Sequence, residues 1–93
     1  MTTENTAQVI PTTTLDTSGL LCPLPVYKAS LALKSLKPGD VLELICTDPG
    51  SLADIPALTR RRGDRLVDVD DQGTTQVFWI ERGQGTNDGS DAI

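Results

Sequence analysis

The residue in this chain with the clearest chemical potential is Cys22, which lies in the run GLLCPLP at residues 19–25. Pro23 is favourable at the first position of a helix, where its missing N–H costs little, so Cys22 is expected at or near the N-cap. A sulfur there faces the positive end of the helix dipole and the free N–H groups of Leu24 and Val26. Both effects favour the thiolate, so we expect a lowered pKa for this thiol and a nucleophile that can carry sulfur as a persulfide.

A structural role for Cys22 is the alternative that the residues alone leave open. Free cysteine behaves as a small apolar side chain and is often buried. The second cysteine, Cys46, alternates with Leu42 and Leu44 along a predicted strand and is expected in the core. A resolving-thiol role for Cys46 requires the two cysteine Cα atoms to lie within about 7 Å of each other, and it is kept as a minor hypothesis.

The composition excludes several classes of function. The 93 residues fit one domain, and 13 Asp and Glu against 8 Lys and Arg, with no His, give a net charge of −5. An acidic chain with few aromatic residues is a poor candidate for nucleic-acid binding, and two cysteines cannot form a structural zinc site. We therefore expect no cofactor, no metal and no direct nucleic-acid partner. No apolar run is long enough to span a membrane and no secretory signal is recognisable, so a cytoplasmic location is expected.

The chain is predicted to consist of one folded core between two polar tails. Residues 1–12 and 83–93 are expected to be disordered, because they bury too little apolar surface to offset the entropy of ordering. Within the core, residues 13–82, the periodicity predicts strands at 12–16, 41–47, 65–70 and 75–82 and helices at 23–37 and 51–62. Ser51 and Asp54 resemble a capping box, and Pro56 favours a regular helix that starts near Asp54.

The order β-α-β-α-β-β predicts a two-layer α/β sandwich. The two βαβ units favour parallel pairing through right-handed crossovers, which brings both helices to one face of the sheet. The final hairpin then adds an antiparallel strand, so the four-stranded sheet is mixed. The cluster at residues 60–62 with Arg65 is interpreted as a solvated helix end, with a site for phosphate or an acidic partner as the alternative. It is expected about 15 Å from Cys22, too far to activate the thiol directly. Asp68, Asp70 and Asp71 favour a solvated turn over a cation site, and Trp79 fits a partner surface or a cover of the sheet equally well.

Several of these features together resemble a known family. Residues 19–25 resemble the Cys-Pro-x-Pro signature of the TusA/SirA-like sulfur carrier proteins. Further matches in the same order are Asp16, Pro38-Gly39-Asp40, Asp48-Pro49 and Asp54-Ile55-Pro56. They extend over residues 13–82, nearly the whole predicted core.

The resemblance implies that Cys22 accepts sulfane sulfur as a persulfide from a cysteine desulfurase or a rhodanese-type donor and passes it to an acceptor protein. The destinations it suggests are tRNA thiolation, molybdenum cofactor synthesis and sulfur oxidation. Gly19, Pro23 and Pro25 then shape the loop of Cys22, and the residues expected to be partner-facing are Leu20, Leu21 and Leu24. Asp48 is expected to be either structural or partner-facing. We expect a monomeric sulfurtransferase component that acts with partner proteins. The alternative is a non-enzymatic interaction or regulatory module in which Cys22 is a redox-sensitive surface thiol.

Overall fold

The computed structural model describes residues 10–84 and contains six elements in the predicted order. The bounds of the strands and helices are β1 (Thr13–Thr17), α1 (Leu24–Lys34), β2 (Val41–Cys46), α2 (Ser51–Arg62), β3 (Arg65–Asp71) and β4 (Gln76–Glu81). The largest difference from prediction is at α1, which ends three residues early. Asp40 closes the turn that follows, because its carboxylate accepts the Lys37 N–H at 3.0 Å and its own N–H donates to the Lys37 carbonyl at 2.9 Å.

The sheet is mixed as predicted, but its strand order, β1-β2-β4-β3, allows one parallel pairing and not two. β1 and β2 are parallel, with Thr17 opposite Cys46, whereas β4 pairs antiparallel with both β2 and β3. The expected direct pairing of β2 with β3 is therefore wrong. The physical reason is composition: β4 (QVFWIE) is the more apolar strand and is buried best at the centre, while β3 (RLVDVDD) has the charged residues of an edge strand.

The core lies between one face of the sheet and the two helices, both of which pack on that face as predicted. Its buried apolar residues are Ala29, Leu33, Leu42, Leu44, Cys46, Ile55, Leu58, Phe78 and Ile80. On the strands β2 and β4 these residues alternate with half-buried ones on the other face, such as Ile45 and Trp79. Trp79 therefore covers part of the open face of the sheet, and Cys46 is a core residue.

Helix α2 begins differently from the prediction. Its N-cap is Gly50 and no side chain caps it, so the expected capping box is wrong. Asp48 closes this turn instead, since its carboxylate accepts the Gly50 N–H at 3.1 Å and its carbonyl accepts the Ser51 N–H at 2.9 Å. Pro56 lies inside the helix and not in its first turn. The carbonyl that loses its usual donor belongs to Leu52, an exposed residue.

The predicted tails fall mostly on residues 1–9 and 85–93, which lie outside the described residues. Near the ends of the described range, two residues assigned to the tails are hydrogen-bonded to the folded domain. Thr12 donates its N–H to the Val41 carbonyl at 2.7 Å and Gly83 donates its N–H to Asp64 at 2.8 Å. Gly83 also packs so closely on the backbone of Gly63 that a Cβ would have no room there. No helix within residues 10–84 has the length and apolar character needed to cross a bilayer.

Candidate functional site

Cys22 is an exposed free thiol in the loop that joins β1 to α1. Because β1 and β2 are parallel neighbours, this loop and the β2–α2 loop leave the sheet at the same edge. The N-terminal turn of α2 therefore lies beside the loop that carries the thiol. Two loops distant in sequence thus provide the surroundings of Cys22.

The loop contains a glycine turn and two prolines. Gly19 has φ +83°, a conformation that other residues rarely adopt, and donates its N–H to the Thr47 hydroxyl at 2.9 Å. Pro23 is the N-cap of α1 and follows a cis Cys22–Pro23 peptide bond, while Pro25 is the second helical residue and is buried. The helix therefore starts one residue later than expected, which leaves Cys22 just outside the N-cap.

Asp48 ties the backbone of Cys22 to the neighbouring loop. Its Oδ2 accepts the Cys22 N–H at 2.7 Å while its Oδ1 accepts the Gly50 N–H. These two donors lower the pKa of the Asp48 carboxyl, because they stabilise its charged form. Of the two roles left open for Asp48, structural or partner-facing, this geometry provides the structural one.

The thiol itself contacts a carboxylate. The Cys22 Sγ donates to Asp54 Oδ2 at 3.0 Å. This hydrogen bond, together with desolvation and the negative charges of Asp54 and Asp48, raises the pKa of the Cys22 thiol. The expected lowering of that pKa by the helix N-terminus is therefore wrong.

The reason for the reversal is the relative size of the two effects. A helix N-terminus carries about half a positive charge spread over several N–H groups, whereas a carboxylate carries a full negative charge on two oxygens. The Leu24 N–H, one of the donors expected to face the sulfur, is bound to the Leu21 carbonyl at 2.9 Å. At hydrogen-bond distance the carboxylate dominates, and it favours the neutral thiol.

A groove of about 210 Å³ opens beside the thiol between the two helices. Its walls are formed by Cys22, Pro23, Val26, Asp54, Ala57 and Arg61. Asp54, Ala57 and Arg61 are spaced three and four residues apart, so they share one face of α2. Arg61, in the last turn of α2, therefore lines the same groove as Cys22, which the sequence did not predict.

The other arginines of the cluster behave differently from one another. Arg62 is buried and its Nε donates to Asp64 at 2.7 Å, so it is not a solvated helix end as predicted. Arg60 is exposed, as expected for that interpretation. Of the leucines expected to face a partner, Leu21 is 70% exposed and Leu24 46%, whereas Leu20 is half-buried. Within residues 10–84 no group of three or more His, Cys, Asp or Glu could hold a metal ion.

Sequence reasoning did not predict Asp54 as the partner of the thiol. A signal existed, because parallel pairing of β1 with β2 places the first turn of α2 at the edge where Cys22 lies, and Asp54 is the acidic residue of that turn. What the sequence does not give is the direction of its side chain. That direction decides whether Asp54 meets the thiol or the solvent.

The fold and the site together define a class: small two-layer α/β proteins that present a thiol at the edge of a mixed four-stranded sheet. The crystal structure of a SirA-like protein from Desulfitobacterium hafniense has this fold. It matches with a TM-score of 0.68 and 23% sequence identity, over 76% of this chain and 97% of that chain.

The particular family follows from sequence. The family model described as sulfurtransferase TusA matches residues 13–82. The sulfur carrier protein TusA of Allochromatium vinosum is 40% identical over 68 residues, which cover 73% of this chain and 90% of that protein. The protein of the same name from Pseudomonas fluorescens is 39% identical over 69 residues, covering 74% of this chain and 83% of that protein. The chain therefore belongs to the TusA family of sulfur carriers.

Proposed function

We propose that this protein is a sulfur carrier in which Cys22 accepts sulfane sulfur as a persulfide and passes it to an acceptor protein. The observation that carries the proposal is the exposed Cys22 thiol, held at the sheet edge of a TusA-family chain. The other cysteine, Cys46, is fully buried and cannot meet a partner without unfolding its surroundings. Among the described residues, Cys22 is thus the thiol that a protein partner can reach.

The transfer of sulfur to Cys22 is a thiol–persulfide exchange that needs no added oxidant or reductant. The Cys22 sulfur attacks the terminal sulfur of a donor persulfide, a new S–S bond forms, and the donor S–S bond breaks to release the donor as a thiol. Cys22 is oxidised to the persulfide level while the donor persulfide is reduced. The proton leaves the Cys22 thiol through Asp54, whose carboxylate already accepts it at 3.0 Å, and it ends on the departing donor sulfur.

Asp54 also sets the resting state of the site. Because the pKa of Cys22 is raised, the resting thiol is mostly neutral near pH 7. A neutral thiol reacts slowly with oxidants and adventitious disulfides, since the thiolate is the nucleophile. Attack on the donor therefore depends on transfer of the Cys22 proton to Asp54 as the new S–S bond forms.

The partners in this proposal are proteins. A cysteine desulfurase or a rhodanese-type sulfurtransferase donates the sulfur, and a downstream protein of tRNA thiolation, cofactor synthesis or sulfur oxidation accepts it. Leu21 and Leu24 flank Cys22 with exposed apolar surface, of the kind that partner interfaces bury. Transfer of the outer sulfur to the acceptor regenerates the Cys22 thiol, and a reducing compartment keeps that thiol from forming disulfides between transfers.

Intact-mass spectrometry tests the proposal directly. The protein is incubated with a cysteine desulfurase and cysteine, and in parallel with a rhodanese and thiosulfate. We expect a mass gain of one sulfur atom that dithiothreitol removes and that peptide mapping assigns to Cys22. Cys22→Ser should abolish the gain and Cys46→Ser should retain it.

Two results would overturn the proposal. One is sulfur loading that survives in Cys22→Ser. The other is the absence of loading from both donors while Cys22 still reacts with iodoacetamide. In the second case, a thiol that oxidises but never gains sulfur would favour the redox-sensitive interaction module instead.

A further inference from the structure

The groove beside Cys22 continues between the two helices into a wider section of about 460 Å³. The two sections share Pro23, Val26 and Arg61, so they adjoin each other on the surface. The wider section is lined in addition by Tyr27, Ser30, Lys34, Leu58 and Arg62. We call the two sections together the interhelical groove.

The charges along the interhelical groove are arranged with a clear polarity. The section at Cys22 is lined by one carboxylate, Asp54, and one cation, Arg61, whereas the wider section is lined by Arg61, Lys34 and the Asp64-paired Arg62 and by no acidic side chain, so positive charge increases away from Cys22. Two of those cations, Lys34 and Arg61, are on exposed residues. This concentration of positive charge stands out because the whole chain has a net charge of −5.

We propose that the interhelical groove binds an extended acidic segment of the partner protein that brings its reacting cysteine to Cys22. The inference rests on the proposed function and specifies the chemistry of the partner. Charge complementarity favours an acidic occupant, since Lys34 and Arg61 attract carboxylates and the Asp54 end repels them. A carboxylate-bearing segment therefore binds with its acidic residues away from Cys22 and its cysteine beside it.

The dimensions of the groove agree with a short peptide. Lys34 follows Cys22 by about one helix length, and a rise of 1.5 Å per residue places it about 16 Å along α1. An extended chain covers that distance in about five residues. Apolar walls at Val26 and Leu58 and the ring of Tyr27, which is 59% exposed, provide contact area between the charges. Combined polar and apolar contacts of this kind are typical of peptide-binding grooves.

The test uses four synthetic peptides with a cysteine activated as its 2-thiopyridyl disulfide. Two are acidic, acetyl-Cys-Gly-Asp-Glu-Asp-amide and its reversed sequence, and two are their neutral counterparts with Asn and Gln in place of Asp and Glu. The Cys22 sulfur attacks the peptide sulfur, a mixed disulfide forms, and pyridine-2-thione leaves and absorbs in the near ultraviolet. The rate of its release measures how well each peptide places its cysteine at Cys22.

The expected result is a faster reaction of at least one acidic peptide than of its neutral counterpart, by about three- to tenfold at low ionic strength. Each variant is judged by this ratio, because changes in the intrinsic reactivity of Cys22 affect both peptides alike. Arg61→Gln and Lys34→Gln should each reduce the ratio, and together they should bring it close to one. Cys22→Ser should show no reaction.

Arg60→Gln is the matched control. It removes the same charge from the neighbouring position of the same helix, but Arg60 is exposed and does not line the groove. The ratio should therefore stay at the wild-type value. Circular dichroism of each variant confirms that the fold is retained.

Three results would overturn the inference: equal rates for acidic and neutral peptides in the wild-type protein, a preference that persists in the double variant, or a preference lost equally in Arg60→Gln. The last would show an effect of net charge alone. Because the assay needs no sulfur donor, it is separate from persulfide loading. Persulfide loading without a preference for acidic peptides would support the carrier function and reject peptide binding in the groove. A preference for acidic peptides without loading would support peptide binding in the groove and reject the carrier function.

Discussion

The sulfur of Cys22 lies 3.0 Å from a carboxylate oxygen of Asp54, a residue 32 positions later in helix α2. The same loop is bound through its backbone by a second carboxylate, Asp48. The thiol of this TusA-family protein therefore lies between two acidic groups, and both raise its pKa. This relationship favours the neutral form of the resting thiol.

Removal of the Asp54 charge should lower the pKa of Cys22. The hydrogen bond to Asp54 is the largest cause of the raised pKa, so Asp54→Asn should move the pH–rate profile of alkylation by iodoacetamide to lower pH. At neutral pH the variant should then react faster than the wild type. The alkylation rate is measured by mass spectrometry in proteins that also carry Cys46→Ala, so that Cys22 is the thiol that is alkylated.

Asp68→Asn provides the matched control for that change. Asp68 is an exposed carboxylate on β3, at the sheet margin opposite β1, and it accepts a hydrogen bond from Val69. The profile of this variant should coincide with that of the wild type. Equal shifts in both variants would assign the raised pKa to net charge and not to the contact with Asp54.

Asp48 should make the stability of the protein depend on acid pH. Its folded-state pKa is lowered below the ordinary value of 3.8 because the N–H groups of Cys22 and Gly50 donate to it. A lowered pKa gives stability that is complete above the unfolded-state pKa and is lost as the pH falls through the folded-state pKa. The difference in Tm between wild type and Asp48→Asn should therefore shrink between pH 5 and pH 2, as scanned by circular dichroism. A difference independent of pH would contradict the role of its charge.

Leu21 should matter for protein partners but not for small reagents. It is 70% exposed beside Cys22, so Leu21→Ser removes apolar contact area from a docked partner without removing core packing. Loss of a buried leucine contact is worth about 1.5 kcal/mol, which predicts about a tenfold lower kcat/KM for loading by a desulfurase. Alkylation of Cys22 by iodoacetamide should be unchanged.

The control for this prediction is Leu31→Ser. Leu31 is 47% exposed on α1, further from the thiol, and presents the same chemical change. Its loading rate should remain near that of the wild type. A comparable loss in both variants would show that the partner contacts the whole exposed side of the helix.

Cys46 should be dispensable for sulfur loading. It is fully buried, and its sulfur accepts a hydrogen bond from the Thr17 hydroxyl at 3.4 Å. Cys46→Ala should therefore cost about 1 kcal/mol in the free energy of unfolding while persulfide formation on Cys22 continues at the wild-type rate. Urea denaturation and intact mass measure the two effects separately. A loss of loading in a folded Cys46→Ala protein would revive the resolving-thiol hypothesis.

Gly83 should tolerate no side chain. Its backbone lies against the Gly63 carbonyl, and a Cβ there would overlap backbone atoms that have no freedom to move aside. Gly83→Ala should lower the free energy of unfolding by about 1–3 kcal/mol. Gln84→Ala, at the exposed neighbouring residue, should change it little. Equal stabilities of the two variants would show that the contact with Gly63 adjusts without cost.

The sequence by itself determined the elements, the motif and the nucleophile that we propose. Apolar residues that recur with periods of 2 and about 3.6 predicted the order β-α-β-α-β-β, because burial on one face forces those periods locally. Gly63 ends α2 in a left-handed conformation, as a glycine after a helix predicts. The place of Cys22 in the loop before α1 follows from the same kind of local reasoning, whereas its exposure is shown by the structure.

Tertiary structure alone decided the chemistry around that cysteine. The position of β4 between β2 and β3 depends on which strand buries the most apolar surface at the centre of the sheet. That comparison involves several strands and cannot be made from one segment of the sequence. The raised pKa of Cys22 depends on a carboxylate 32 residues away, and the shared groove depends on Arg61 lying on the Asp54 face of α2. Electrostatic effects depend on distance in space, whereas sequence patterns report neighbours along the chain. For this reason the nucleophile could be proposed from sequence while its protonation state could not.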